Sequence, residues 1–99
     1  MPTTILEMTE DEVQEALNGN EELFNQLIHR NRRRLMVVLQ RHGTSANDIE
    51  DCVQHACMRL WEYKGKVQPY NSAVFSWICT TALNRAKTLH RKTKREELI

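Results

Sequence analysis

The chain has 99 residues, 40% of them hydrophobic and 6% aromatic, and a formal net charge of +1. This is enough for one domain with a modest core. No apolar run approaches the roughly 20 residues of a membrane span, and no basic start followed by an apolar stretch marks a secretory signal.

Residues 1–8 read as a flexible lead, and residues 1–29 hold seven acids with no Lys or Arg. Thr9 and Glu12 have capping-box spacing, in which each side chain satisfies a free amide of the first turn. A short helix over about residues 10–18 follows and stops at Gly19-Asn20. Asn20 then caps a long helix to about His42, with Phe24, Leu27, Ile28, Leu35, Val38 and Leu39 on one apolar stripe. Residues 30–42 carry five Arg and no acid. Within them, Asn31 to Arg34 sends three successive Arg in different directions, too spread for one flat patch, and reads as a solvated face. Gly43 is a left-handed stop.

Ser45 and Asp48 repeat the cap spacing ahead of a third helix that ends near Tyr63. Ile49, Val53, Ala56 and Leu60 point inward, and Asp48, Asp51, Gln54, His55 and Glu62 occupy the other face. Lys64 to Tyr70, with Gly65 and Pro69, reads as a loop. Asn71 or Ser72 caps a last helix to about Lys92, whose core stripe is Phe75, Ile78, Ala82, Ala86 and Leu89. Residues 65–95 carry seven bases and no acid. The tail Arg91–Ile99 is charged and is expected to fray, with residues 96–99 outside a domain of residues 9–95. No stretch alternates as a strand would. The expected fold is all-α: four orthogonally packed helices, with alternating charge blocks that imply separate faces for separate partners.

Two of these helices carry motifs. Asp48-Ile49-Glu50-Asp51-Cys52-Val53-Gln54-His55, continuing to Trp61, resembles the polymerase-binding helix of the extracytoplasmic-function sigma factors, within region 2 of the sigma-70 family. Phe75-Ser76-Trp77-Ile78, continuing through Ala82 and Asn84 to Lys87, is similar to that family's melting helix. Glu22 to Leu27 matches its opening helix. The resemblance departs at Cys52 and Cys57, where Leu or Phe is usual, and at His55, where Glu is common. Family members also carry a second helical domain that reads the upstream −35 element. The chain stops before it, and is therefore either a cut-out domain or a naturally short protein.

Asp48, Asp51 and Gln54 lie at intervals of three on one helix face, and Asp51 and Gln54 suit Arg and Asn forks across an interface. The helix dipole alone would explain Asp48, Glu50 and Asp51 equally well. The resemblance implies that these residues and His55 meet a coiled-coil helix pair on the largest subunit of core RNA polymerase. Trp77, Thr81, Asn84, Arg85 and Thr88 lie near one side of the last helix. Asn84 suits a base edge, and Arg85, Lys87, Arg91, Lys92, Lys94 and Arg95 suit phosphates. Trp77 fits a core position as well. The resemblance further implies that the loop Lys64–Ser72 captures a flipped base of the nontemplate strand, with Lys66, Gln68, Tyr70 and Asn71 as polar or stacking groups.

The expected function is therefore binding of core polymerase with recognition and melting of the −10 promoter element, without ATP. The alternative is a short sigma mimic that occupies polymerase and represses or redirects it. An anti-sigma factor is admitted as a further partner. The three cysteines, Cys52, Cys57 and Cys79, read as reduced thiols of a cytoplasmic protein. No enzyme, cofactor or metal is expected. Cys52, His55 and Cys57 do not converge as ligands from one helix, and His29, His42 and His90 are isolated.

Overall fold

The structure, a computed structural model, describes residues 8–98. The lead expected over residues 1–8 thus lies outside the described residues except for Met8, as does Ile99. Thr9 opens α1 (Glu10–Leu17) with both halves of the capping box: its hydroxyl accepts from the Glu12 amide at 3.1 Å, and its amide donates to the Glu12 carboxylate at 2.9 Å. Gly19 turns the chain at φ +108°, a conformation that side chains disfavour, and Asn20 caps α2 (Glu21–Arg41) by accepting from the Leu23 amide. Gly43, at φ +81°, ends that helix as expected.

Ser45 precedes α3 (Ala46–Tyr63), but its hydroxyl accepts from the Asn47 amide. Asp48 instead donates its amide to the Ser45 carbonyl, so the cap is made two residues on rather than three. A 3-10 turn over Lys64–Lys66 occupies the start of the expected loop, and Val67 is buried behind it. α4 (Asn71–Glu97) differs from expectation at both ends. Asn71 and Ser72 are already helical, and Tyr70 stands at the cap without a side-chain bond. The Asn71 amide is engaged elsewhere: it donates to the Met8 carbonyl at 2.6 Å and ties the start of α4 to the chain ahead of α1. At the other end the helix continues to Glu97 rather than stopping near Lys92. No Gly or Pro interrupts residues 71–97, and the run is rich in Lys, Arg and Glu, which lose little freedom in a helix.

The fold is all-α, with no strand among the described residues. α2 touches each of the other three helices, and α3 packs along α4. The fully buried side chains Val13, Leu27, Leu35, Leu39, Cys52, Val53, Leu60 and Val74 draw on all four helices. Burying each of the larger ones contributes about 1.5–3 kcal/mol relative to exposure. On α4 the buried positions are Val74, Ile78 and Ala82, whereas Phe75, Ala86 and Leu89 of the expected stripe are only partly covered. Every residue from Arg91 to Leu98 is exposed, so the end of α4 projects beyond the core.

Candidate functional site

α3 and α4 run antiparallel, held by a contact at each end. At one end Arg85 Nε donates to Asp51 Oδ1 at 2.8 Å and Nη2 to Oδ2 at 3.4 Å. At the other, the rings of Tyr63 and Trp77 lie 6.4 Å apart with planes tilted by 41°. Between them runs an open groove of about 410 Å³, lined by His55, Arg59, Tyr63, Trp77, Thr81, Asn84, Arg85 and Thr88. The five residues that the sequence placed on one side of the last helix therefore share one groove wall.

The opposite wall is the row His55, Arg59 and Tyr63, each one turn apart. Sequence reasoning missed Arg59 and Tyr63. The signal was the four-residue spacing from His55, read there as part of a polymerase face. Arg59 donates to Glu62 at 3.1 Å and to the Tyr63 hydroxyl at 3.3 Å, and its guanidinium lies 4.7 Å from that ring's centre. Tyr63 is thereby held with its face covered on one side. The hydroxyls of Thr81 and Thr88, which line the groove, donate to the Trp77 and Asn84 carbonyls. Trp77 is half-buried, which satisfies neither a pure core role nor a fully exposed one.

Arg85 dominates the local electrostatics. Its hydrogen bond to Asp51, followed in size by opposing desolvation, leaves the carboxyl below the usual carboxylate range. The same bond raises the guanidinium further above its ordinary value. Residues assigned from sequence to two different partners thus touch each other. Of the loop set, Lys66, Gln68 and Tyr70 are exposed but do not line the groove, while Asn71 is held against Met8.

The sigma-70 region 2 family model matches residues 27–96. The chain belongs to that family. No curated protein and no solved structure matches it.

The sigma-70 region 2 match starts within α2 and ends one residue short of the end of α4, so both walls of the groove fall inside it. Of the polymerase set, Asp51 and Gln54 are exposed, Asp48 is half-buried, and His55 turns into the groove. Gln54 is followed along the outer side of α3 by Met58, 65% exposed, and Trp61, 39% exposed. These two apolar residues were also missed. Each resembles a core residue in sequence, and only the packing shows which side it faces. Trp61 meets Phe24 of α2 edge-on at 5.0 Å, and Lys64 lies 3.9 Å above its ring. A second open cleft, of about 450 Å³, lies there between α2 and α3, edged by Glu21 and Glu62.

Lys87 is not part of the α3–α4 groove. It lines a third cleft with His42 and His90, against the turn that follows α2. Arg91 and Lys92 lie on the projecting end of α4. Burial pushes all three thiols, Cys52, Cys57 and Cys79, above their ordinary value. No group of three or more metal-ligating side chains converges among the described residues. No helix of the described chain is long and apolar enough to cross a membrane.

Proposed function

We propose that this sigma-70 region 2 domain, of extracytoplasmic-function type, binds core RNA polymerase through the outer side of α3. On this reading it captures unstacked nontemplate-strand bases of the −10 element in the α3–α4 groove. The observation that carries the reading is the pairing of Tyr63 with Trp77 at the end of the groove next to the connection Lys64–Tyr70.

Strand opening needs an acceptor for each base that leaves the stack. Stacking on an aromatic ring is worth about 1–3 kcal/mol per base, and one step of duplex stacking averages about 1.4 kcal/mol. One or two captured bases therefore offset the local loss of duplex, and no ATP is required. Trp77 and Tyr63 supply the ring faces in the groove, and exposed Tyr70 offers a further ring on the loop. Asn84 presents both donor and acceptor to a base edge. Lys66, Arg91 and Lys92 suit the phosphates, and Gln68 the edge of a base held in the loop. Polymerase engages Gln54 with Met58 and Trp61, a polar group beside apolar anchors, as in the centre of a typical protein interface. The site of action is the cytoplasm, where polymerase meets promoters.

The test is co-purification with core polymerase. Gln54→Ala combined with Met58→Ala is chosen because neither side chain holds Arg85. The double variant should lose polymerase while keeping the helical content of the wild type. Undiminished co-purification would show that polymerase docks elsewhere.

A further inference from the structure

The Arg-rich segment of α2 behaves differently from its sequence. Arg32 leaves the group by pairing with Glu50 of α3. Arg33, Arg34 and Arg41 remain exposed, and with 3.6 residues per turn they fall within about 100° of one another around the helix, on either side of exposed Val37. The stripe is about 12 Å long, at a rise of 1.5 Å per residue. Arg34 lies 4.0 Å above the ring of Phe75, so this side of α2 borders α4. At the far end, the cleft of about 390 Å³ that holds His42, Lys87 and His90 carries the basic surface across to α4. No acid occurs in sequence between Glu22 and Asp48, or between Glu62 and Glu96, so neither helix supplies a counter-charge within this surface.

We infer that the α2–α4 face, built on Arg33, Arg34 and Arg41 and continued by Lys87, is a track for the sugar–phosphate backbone of duplex DNA. It is separate from the groove between α3 and α4. Duplex presents one charge per about 1.7 Å of axis, so a 12 Å stripe spans about seven phosphates, enough to engage several cations at once. Single-stranded sites add ring faces for the bases. Here Phe75, the ring in contact with the stripe, is partly buried and already covered by Arg34. A row of guanidinium groups without an intervening carboxylate suits backbone contact without base reading.

The experiment is fluorescence anisotropy of the full chain, without polymerase, against a labelled duplex of arbitrary sequence, titrated from about 50 to about 200 mM salt. Arg33→Gln with Arg41→Gln removes two phosphate contacts. The slope of log affinity against log salt should fall by about 1.8, so that the wild type loses about 12-fold more affinity than the variant over that range. Matching helical content and melting temperature would exclude misfolding as the cause. An unchanged slope overturns the inference. So does tighter binding of poly-glutamate than of duplex at the same salt, which would assign the face to an acidic protein. Because polymerase is absent, failure of the polymerase and strand-capture reading would leave this result unaffected, and the reverse also holds.

Discussion

Arg85 of α4 grips Asp51 of α3 with two nitrogens, at 2.8 and 3.4 Å, across 34 residues of sequence. The pair closes one end of the groove and occupies the fork with which Arg85 would hold a phosphate. A phosphate that approaches the Nε–Nη2 edge of Arg85 would compete with Asp51 for it. The two residues therefore cannot be treated as belonging to independent surfaces, although their sequence contexts suggest this.

Replacing Asp51 with Asn should release Arg85 toward nucleic acid. The salt dependence of single-strand binding by the polymerase complex should steepen by about one phosphate contact, a slope change of about 0.7. If polymerase binding also weakens, the slope remains interpretable from the fraction of complex that forms. An unchanged slope would mean that Arg85 does not reach DNA.

The same pair has a pH signature. Because the folded-state value of Asp51 lies below its ordinary 3.8, its contribution to stability is fully present above that value. The contribution is lost as pH falls through the lower, folded value. Urea melts at a series of acid pH values should therefore show a shallower acid loss for Asp51→Asn than for the wild type. Parallel curves would contradict the assignment.

Leu60 is fully buried where α3 meets the rest of the core. Leu60→Ala should cost about 2–5 kcal/mol by denaturant unfolding. Gly43→Ala meets no atom within 4 Å, but it must adopt φ +81°. It should cost about 1–2 kcal/mol through backbone strain alone. A neutral Gly43→Ala would show that the turn between α2 and α3 relaxes.

Burial raises the thiol of Cys52, and its side chain is inaccessible. Alkylation at neutral pH, followed by mass spectrometry, should leave Cys52 unmodified until denaturant is added. Cys57 and Cys79, partly exposed, should react sooner. Rapid labelling of Cys52 in the native chain would contradict its placement.

Much of this fold is legible in sequence because its signals are local. The Thr9–Glu12 box, the Asn20 cap, the stops at Gly19 and Gly43 and the stripes of α2 and α3 depend only on neighbours within a turn. The start of α4 is not local. Asn71 looks like a cap, but its amide bonds Met8, 63 residues away, and nothing in residues 68–74 signals that partner. The candidate groove is half legible. Its α4 wall follows from helical spacing, whereas its α3 wall depends on how the two helices rotate against each other. The arginine segment shows the same limit: three successive Arg diverge, but Arg33, Arg34 and Arg41 share a face once Arg32 is taken by Glu50.

Base capture in the α3–α4 groove is tested most directly by titration of a fluorescent nontemplate −10 oligonucleotide against the complex with core polymerase. The wild type should prefer the cognate over a scrambled sequence. Asn84→Ala or Gln68→Ala should reduce that preference, because base edges carry the information. Lys92→Ala should weaken both sequences alike and make binding less salt-dependent. If Asn84→Ala and Gln68→Ala both leave the preference unchanged, base capture in the groove is contradicted.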